Sequence, residues 1–175
     1  MQLPELGERI CILGPSNSGK STLADAIARK RGLPAIHLDQ LHHLPHTDWQ
    51  PRPADEFVAL HDQAIAAERW VMDGNYTRCM PQRLRRATGL ILLDIPMPLS
   101  LLRYARRTLS GGRRVGAIEG GPQRITWDML HHIALVTPRN RKRYLAVYRE
   151  LDLPKLHFAS AHAIEACYRQ WGLER

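Results

Sequence analysis

Apolar and polar positions fall into two kinds of block along the chain. Short runs of β-forming residues read as strands: Ile10 to Leu13, Ala35 to Asp39, Trp70 to Asp73, Leu90 to Asp94 and Lys155 to Phe158. Longer segments of helical composition separate them. Ser21 to Arg31 stops at Gly32 and Pro34, and Ala54 to Arg69 carries Phe57, Leu60, Ala64 and Ile65 near one face. Leu99 to Leu109, Thr126 to Leu151 (interrupted at Pro138) and Ala161 to Trp171 read as further helices. This alternation predicts an α/β fold, a mostly parallel sheet with helices on both faces. Ligands of such sheets bind beyond the carboxyl ends of the strands. Asp39, Asp73 and Asp94 each end a predicted strand and therefore belong to that edge.

A chain of 175 residues, 44% hydrophobic, suffices for one globular domain spanning 1–175, and no internal repeat or linker divides it. No stretch approaches the roughly 20 apolar residues of a membrane span, and Met1 to Gly14 lacks a signal-peptide pattern. Cys11, Cys79 and Cys167 are too few and too scattered for a disulfide framework or a zinc knuckle, so a cytoplasmic setting and no membrane partner are expected. His42, His43 and His46 read as part of a polar loop, because Pro45 breaks helical spacing between them.

Charge changes the picture more. The net charge is +8, and residues 101–150 alone carry eleven basic residues against three acids, while the remainder holds fourteen of each sign. A local arginine cluster points to a phosphate-rich ligand, a nucleotide or a nucleic acid. Ser110 to Gly121 holds five of the twelve glycines and reads as a mobile loop.

Gly14-Pro15-Ser16-Asn17-Ser18-Gly19-Lys20-Ser21 fits G-x-x-x-x-G-K-[ST] at every fixed position, with a strand before it and a helix after it. The glycines let backbone N–H groups turn inward towards phosphate oxygens, and the following helix adds a favourable dipole. Lys20 would reach the β- and γ-phosphates and the Ser21 hydroxyl would complete a Mg²⁺ shell. ATP or GTP is the expected ligand. Asp94 ends an apolar strand and is a candidate second group for Mg²⁺; Asp39 could serve the metal instead, or accept from a substrate hydroxyl.

This phosphate loop, the five strands and the arginine-rich segment after the fourth resemble the nucleoside monophosphate kinase group, which includes adenylate, shikimate and gluconate kinases. His37-Leu38-Asp39, Trp49, Trp70-Val71-Met72-Asp73-Gly74-Asn75-Tyr76 and Leu93-Asp94-Ile95-Pro96 resemble a subgroup of small adenylate-kinase-like proteins, described as DNA topology modulation (FlaR-type) proteins. The resemblance implies a P-loop NTPase three-layer sandwich, its five-stranded parallel sheet in the order 2-3-1-4-5. It also implies an Arg-rich lid at about 110–125 and an acceptor-binding region at about 40–70. Gly14 to Thr22 would bind the nucleotide phosphates, Arg103 and Arg107 would clamp the transferring phosphoryl, and Asp39, Gly74, Asn75 and Tyr76 would meet the acceptor. Two departures stand out. Arg52 is the only lysine or arginine between Asp39 and Arg69, and the triple glycine of shikimate kinase is absent.

Three functions fit these residues. The first is an ATP-Mg²⁺-dependent phosphotransferase acting on a small molecule such as a nucleoside monophosphate. The second is a nucleic-acid-associated P-loop ATPase, and the third a nucleotide-binding regulator. The absence of a helix-turn-helix or other reading head, and the placing of the charge where these kinases carry their lid, favour the first.

Overall fold

The computed structural model describes residues 1–110, 115–116 and 137–175. Five strands form one parallel sheet: β1 (Arg9–Leu13), β2 (Ala35–His37), β3 (Trp70–Asp73), β4 (Gly89–Leu93) and β5 (Lys155–Phe158), in the order β2-β3-β1-β4-β5. The helices are α1 (Lys20–Arg31), α2 (Leu38–His42), α3 (Ala54–Ala66), α4 (Met80–Arg86), α5 (Met97–Ser110), α6 (Thr137–Glu150) and α7 (Ala161–Trp171), with a 3₁₀ turn at Leu3–Leu6. The expected lid at 110–125 lies outside the described residues except for Ser110, Val115 and Gly116, as does the 126–136 part of the expected long helix. Among the described residues no helix is long and apolar enough to cross a membrane.

The strands read as unbroken apolar runs because both faces of the sheet are covered. Successive side chains alternate between two cores. Ile10, Ile12, Val71, Ile91 and Leu93 pack with Leu23 and Ile27 of α1 and with Ile164 and Trp171 of α7. Cys11, Leu13, Trp70, Met72, Leu90 and Leu92 face the other way, against Ile65 of α3, Met80 of α4 and Tyr144 of α6. Helix ends follow local chemistry. The Ser160 hydroxyl accepts from Ala163 N at the start of α7, and Gly32 and Gly172 take left-handed conformations that close α1 and α7.

One sequence expectation differs from this structure. β2 ends at His37, so Asp39 ends no strand; it lies in the first turn of α2, where a carboxylate suits the helix dipole. The helices Leu38–His42 and Met80–Arg86 have no counterpart in the sequence pattern, being too short to show a 3.6-residue period. Of the expected helix over 126–151, the described part is α6, Thr137–Glu150, which includes Pro138.

Candidate phosphate-binding cleft

The loop after β1 owes its path to Gly14. Its φ is 149°, and a Cβ there would stand 2.3 Å from the carbonyl oxygen of Leu93 on β4. Any other residue would push the loop off the sheet. Gly19, at φ 96°, turns the chain into α1, and Ser18 N donates to Pro15 O at 3.3 Å. Asn75 holds the Gly14 peptide from both sides: Gly14 N donates to Asn75 Oδ1 (3.1 Å) and Asn75 Nδ2 donates to Gly14 O (2.8 Å). Lys20 folds back across the loop, its Nζ donating to Pro15 O at 2.8 Å. The Ser18 hydroxyl is buried and finds no hydrogen-bond partner among the described residues.

At the mouth of this loop the Ser21 hydroxyl donates to Asp73 Oδ2 (2.7 Å), and His37 Nδ1 lies 2.5 Å from Asp73 Oδ1. A hydroxyl and a carboxylate together suit a hard divalent cation such as Mg²⁺, which takes oxygen ligands from one or two carboxylates and from bound phosphates. The looped backbone, the orphaned Ser18 hydroxyl and this oxygen pair therefore fit a metal–nucleotide complex. Ser21 and Asp73, not Ser21 and Asp94, are brought together. Asp94 lies just past β4 on the far side of β1, only 4% exposed. Arg141 holds it in a fork (Nε to Oδ1 2.5 Å, Nη2 to Oδ2 2.9 Å), and His157 Nε2 approaches Oδ2 at 3.1 Å. The carboxylate raises the Arg141 pKa through hydrogen bonding and then charge. Asp94 thus ties α6 to the sheet and borders a separate small cavity of about 90 Å³ with Pro15, Arg141 and Tyr144.

The main cleft measures about 610 Å³ and is shared by both groups of expected site residues. Ser16, Asn17, Gly19, Lys20, Ser21 and Thr22 line it together with Asp39, Asp73, Gly74, Asn75 and Tyr76. Thr77, Val115, Asn140 and Tyr144 complete it. Tyr76 OH donates to Asp39 Oδ1 at 2.7 Å, and the Tyr76 ring rests against His42 (centroids 4.7 Å) and Phe57 (5.1 Å). Burial, then the neighbouring His43, pulls the His42 pKa down, so at neutral pH its ring is an uncharged packing surface.

Arg103 reaches the loop from α5, Nη1 donating to Ser18 O at 3.0 Å, and desolvation lowers its pKa. Arg107 is one turn further along α5; its side chain lies outside the described residues.

Sequence reasoning missed Arg83. This guanidinium is fully buried and donates through Nη2 to Gly74 O (2.7 Å) and Asn75 O (2.8 Å), with Nη1 3.5 Å from Tyr76 O. It fixes the three-residue loop that carries Asn75 and Tyr76. Only its place on α4, behind that loop, could have revealed it. Arg83→Met should leave these carbonyls unpaired, costing about 3 kcal/mol. For a chain of this size that lowers Tm by roughly 6–12 °C in a thermal melt. An unchanged Tm would show that the loop stands without Arg83.

No protein-family model and no curated protein matches the sequence. Solved structures do match over nearly the whole chain. Shikimate kinase from Acinetobacter baumannii, in complex with shikimate, superposes with a TM-score of 0.58 at 15% identity, covering 95% of this chain and 92% of that one. A gluconokinase from Sinorhizobium meliloti 1021 gives 0.53 at 18% identity, covering 98% and 94%. The fold is that of the P-loop kinases. In a P-loop kinase fold with this strand order, α1 must carry the chain from β1 across β3 to β2, and that path sets Ser21 beside Asp73.

Proposed function

We propose that the chain is an ATP- and Mg²⁺-dependent phosphotransferase acting on a small-molecule acceptor, with nucleoside monophosphates among the candidates. The supporting observation is that Lys20, Ser21 and Asp73 line the same cleft as Asp39 and Tyr76. A phosphoryl donor and an acceptor hydroxyl can meet there in line, which is most of what phosphoryl transfer asks of a protein.

In this reading the Gly14–Thr22 loop would hold the nucleotide phosphates, Lys20 would supply a cation to them, and Ser21 with Asp73 would hold Mg²⁺. The metal, when bound, neutralises charge on the transferring group. Asp39, oriented by Tyr76 OH, would accept the proton of an alcohol acceptor; a nucleoside monophosphate would attack through a phosphate oxygen and leave Asp39 to orient the acceptor. Gly74, Asn75 and the 40–70 segment shape the acceptor side. Arg103 steadies the loop through Ser18 O, and with Arg107 it supplies the cationic clamp. The His37-Leu38-Asp39 and Trp70 to Tyr76 segments support grouping the chain with the FlaR-type subgroup. The buried free thiols Cys11, Cys79 and Cys167 support a reducing, cytoplasmic setting; burial pushes Cys11 up to about 11 and Cys167 up to about 12.

The test is ADP release in the presence of nucleoside monophosphates, nucleosides, small polyols, sugar acids or duplex DNA, with and without Mg²⁺. Release stimulated by one small-molecule class and dependent on Mg²⁺ is expected. Stimulation by DNA alone would replace this reading with that of a nucleic-acid-associated ATPase.

A further inference from the structure

The neighbouring strands β2, β3 and β1 bring His37, Asp73 and Ser21 into one hydrogen-bonded row at their carboxyl ends. The register sets His37 directly beside Asp73. The two side chains are 10% and 6% exposed, so their interaction is sheltered from water. A carboxylate accepts hydrogen bonds, so His37 Nδ1 carries the proton and donates to Asp73 Oδ1, while Oδ2 receives the Ser21 hydroxyl. The carboxylate stands in the middle of the row. The serine is therefore not an imidazole-activated nucleophile; histidine and serine both serve the aspartate.

We propose that His37 is a positioning residue for the divalent cation, its Nδ1–H fixing the plane of the Asp73 carboxylate so that Asp73 and Ser21 offer oxygens to one ion. The proposal rests on the metal–nucleotide reading of the cleft. An aspartate's terminal torsion is broad, so an isolated carboxylate samples many planes. A buried donor on one oxygen selects among them before the ion arrives. Gly116 closes over the same row: at φ 71°, a Cβ on it would stand 2.8 Å from His37 Nδ1 and 3.0 Å from Ser21 Cβ. Only a residue without a side chain fits there, so backbone covers the histidine where it meets Asp73.

Two variants separate hydrogen-bond donation from packing. His37→Leu keeps much of the volume and loses the N–H; His37→Asn loses volume and keeps an N–H near the Nδ1 position. Mn²⁺ affinity would be measured by electron paramagnetic resonance at saturating ATP, alongside thermal melts of the ligand-free proteins. His37→Leu should weaken Mn²⁺ binding by about 10–100-fold, and His37→Asn by no more than about threefold. The loss of turnover in His37→Leu at low Mg²⁺ should be recovered by raising Mg²⁺. If the leucine variant binds Mn²⁺ like the wild type, or both variants lose affinity in step with Tm, the proposal is overturned while the metal site stands. If wild-type protein binds no Mn²⁺–ATP, the phosphotransferase reading falls and the role of His37 falls with it.

Discussion

Lys20→Met is expected to reduce acceptor-dependent ADP formation by about 10³-fold or more, with Tm within a few degrees of the wild type. The lysine lines the cleft and folds over the phosphate loop, its ammonium donating to Pro15 O. That contact is replaceable by water, so little stability is at stake. A phosphoryl group in transfer is another matter. Negative charge accumulates on its oxygens, and a preorganised cation in a sheltered cleft stabilises it more than a solvated one can. Methionine retains the aliphatic stem and removes only the charge. Near-normal turnover in Lys20→Met would remove the lysine from the chemistry. A large loss of Tm would mean instead that the ammonium's contact with Pro15 O holds the loop together.

Asp73→Asn should cost about 10²–10³-fold in kcat/KM at low millimolar Mg²⁺. The carboxylate has an oxygen on Ser21 and the other on His37, and it is almost wholly buried. An amide supplies one poor metal ligand in place of a charged one, and its NH₂ would confront either the His37 N–H or the Ser21 hydroxyl proton. Asp94→Asn provides the contrast. It should leave Mg²⁺ half-saturation unchanged, because Asp94 is committed to Arg141 and His157. Titrating Mg²⁺ against turnover for both variants distinguishes the two aspartates. Equal metal dependence in Asp73→Asn and wild type would return the metal to another carboxylate.

The loop between β1 and α1 was legible in the sequence because its pattern is local: eight consecutive residues carry the glycines, the lysine and the hydroxyl. The central strands were legible because burial on both faces leaves Ile10 to Leu13 and Leu90 to Leu93 continuously apolar. The pairing of Ser21 with Asp73 was not. β3 and β4 both flank β1, so Asp73 and Asp94 each stand one strand from the loop. What separates them is the path of α1 over β3, a consequence of strand order and not of any residue near either aspartate. His37 was invisible for a related reason, since its partner lies 36 residues away and depends on the β2–β3 register. Arg83 looked like one more basic residue on a short segment; its burial comes from packing behind residues 74–76. Asp39 was assigned to the right edge of the sheet but to the wrong element, because three residues of edge strand give way to a helix that shows no period of its own.

The central claim is that the cleft passes a phosphoryl group from a nucleotide to a small molecule. The most direct measurement follows the label of γ-³²P-ATP, with Mg²⁺, across the panel of acceptors. Label is expected in the organic phosphate of one acceptor class, a phosphomonoester if the acceptor is an alcohol or a phosphoanhydride if it is a nucleoside monophosphate, and lost in Lys20→Met and Asp73→Asn. Label found solely in inorganic phosphate, at a rate indifferent to every small molecule, would contradict it.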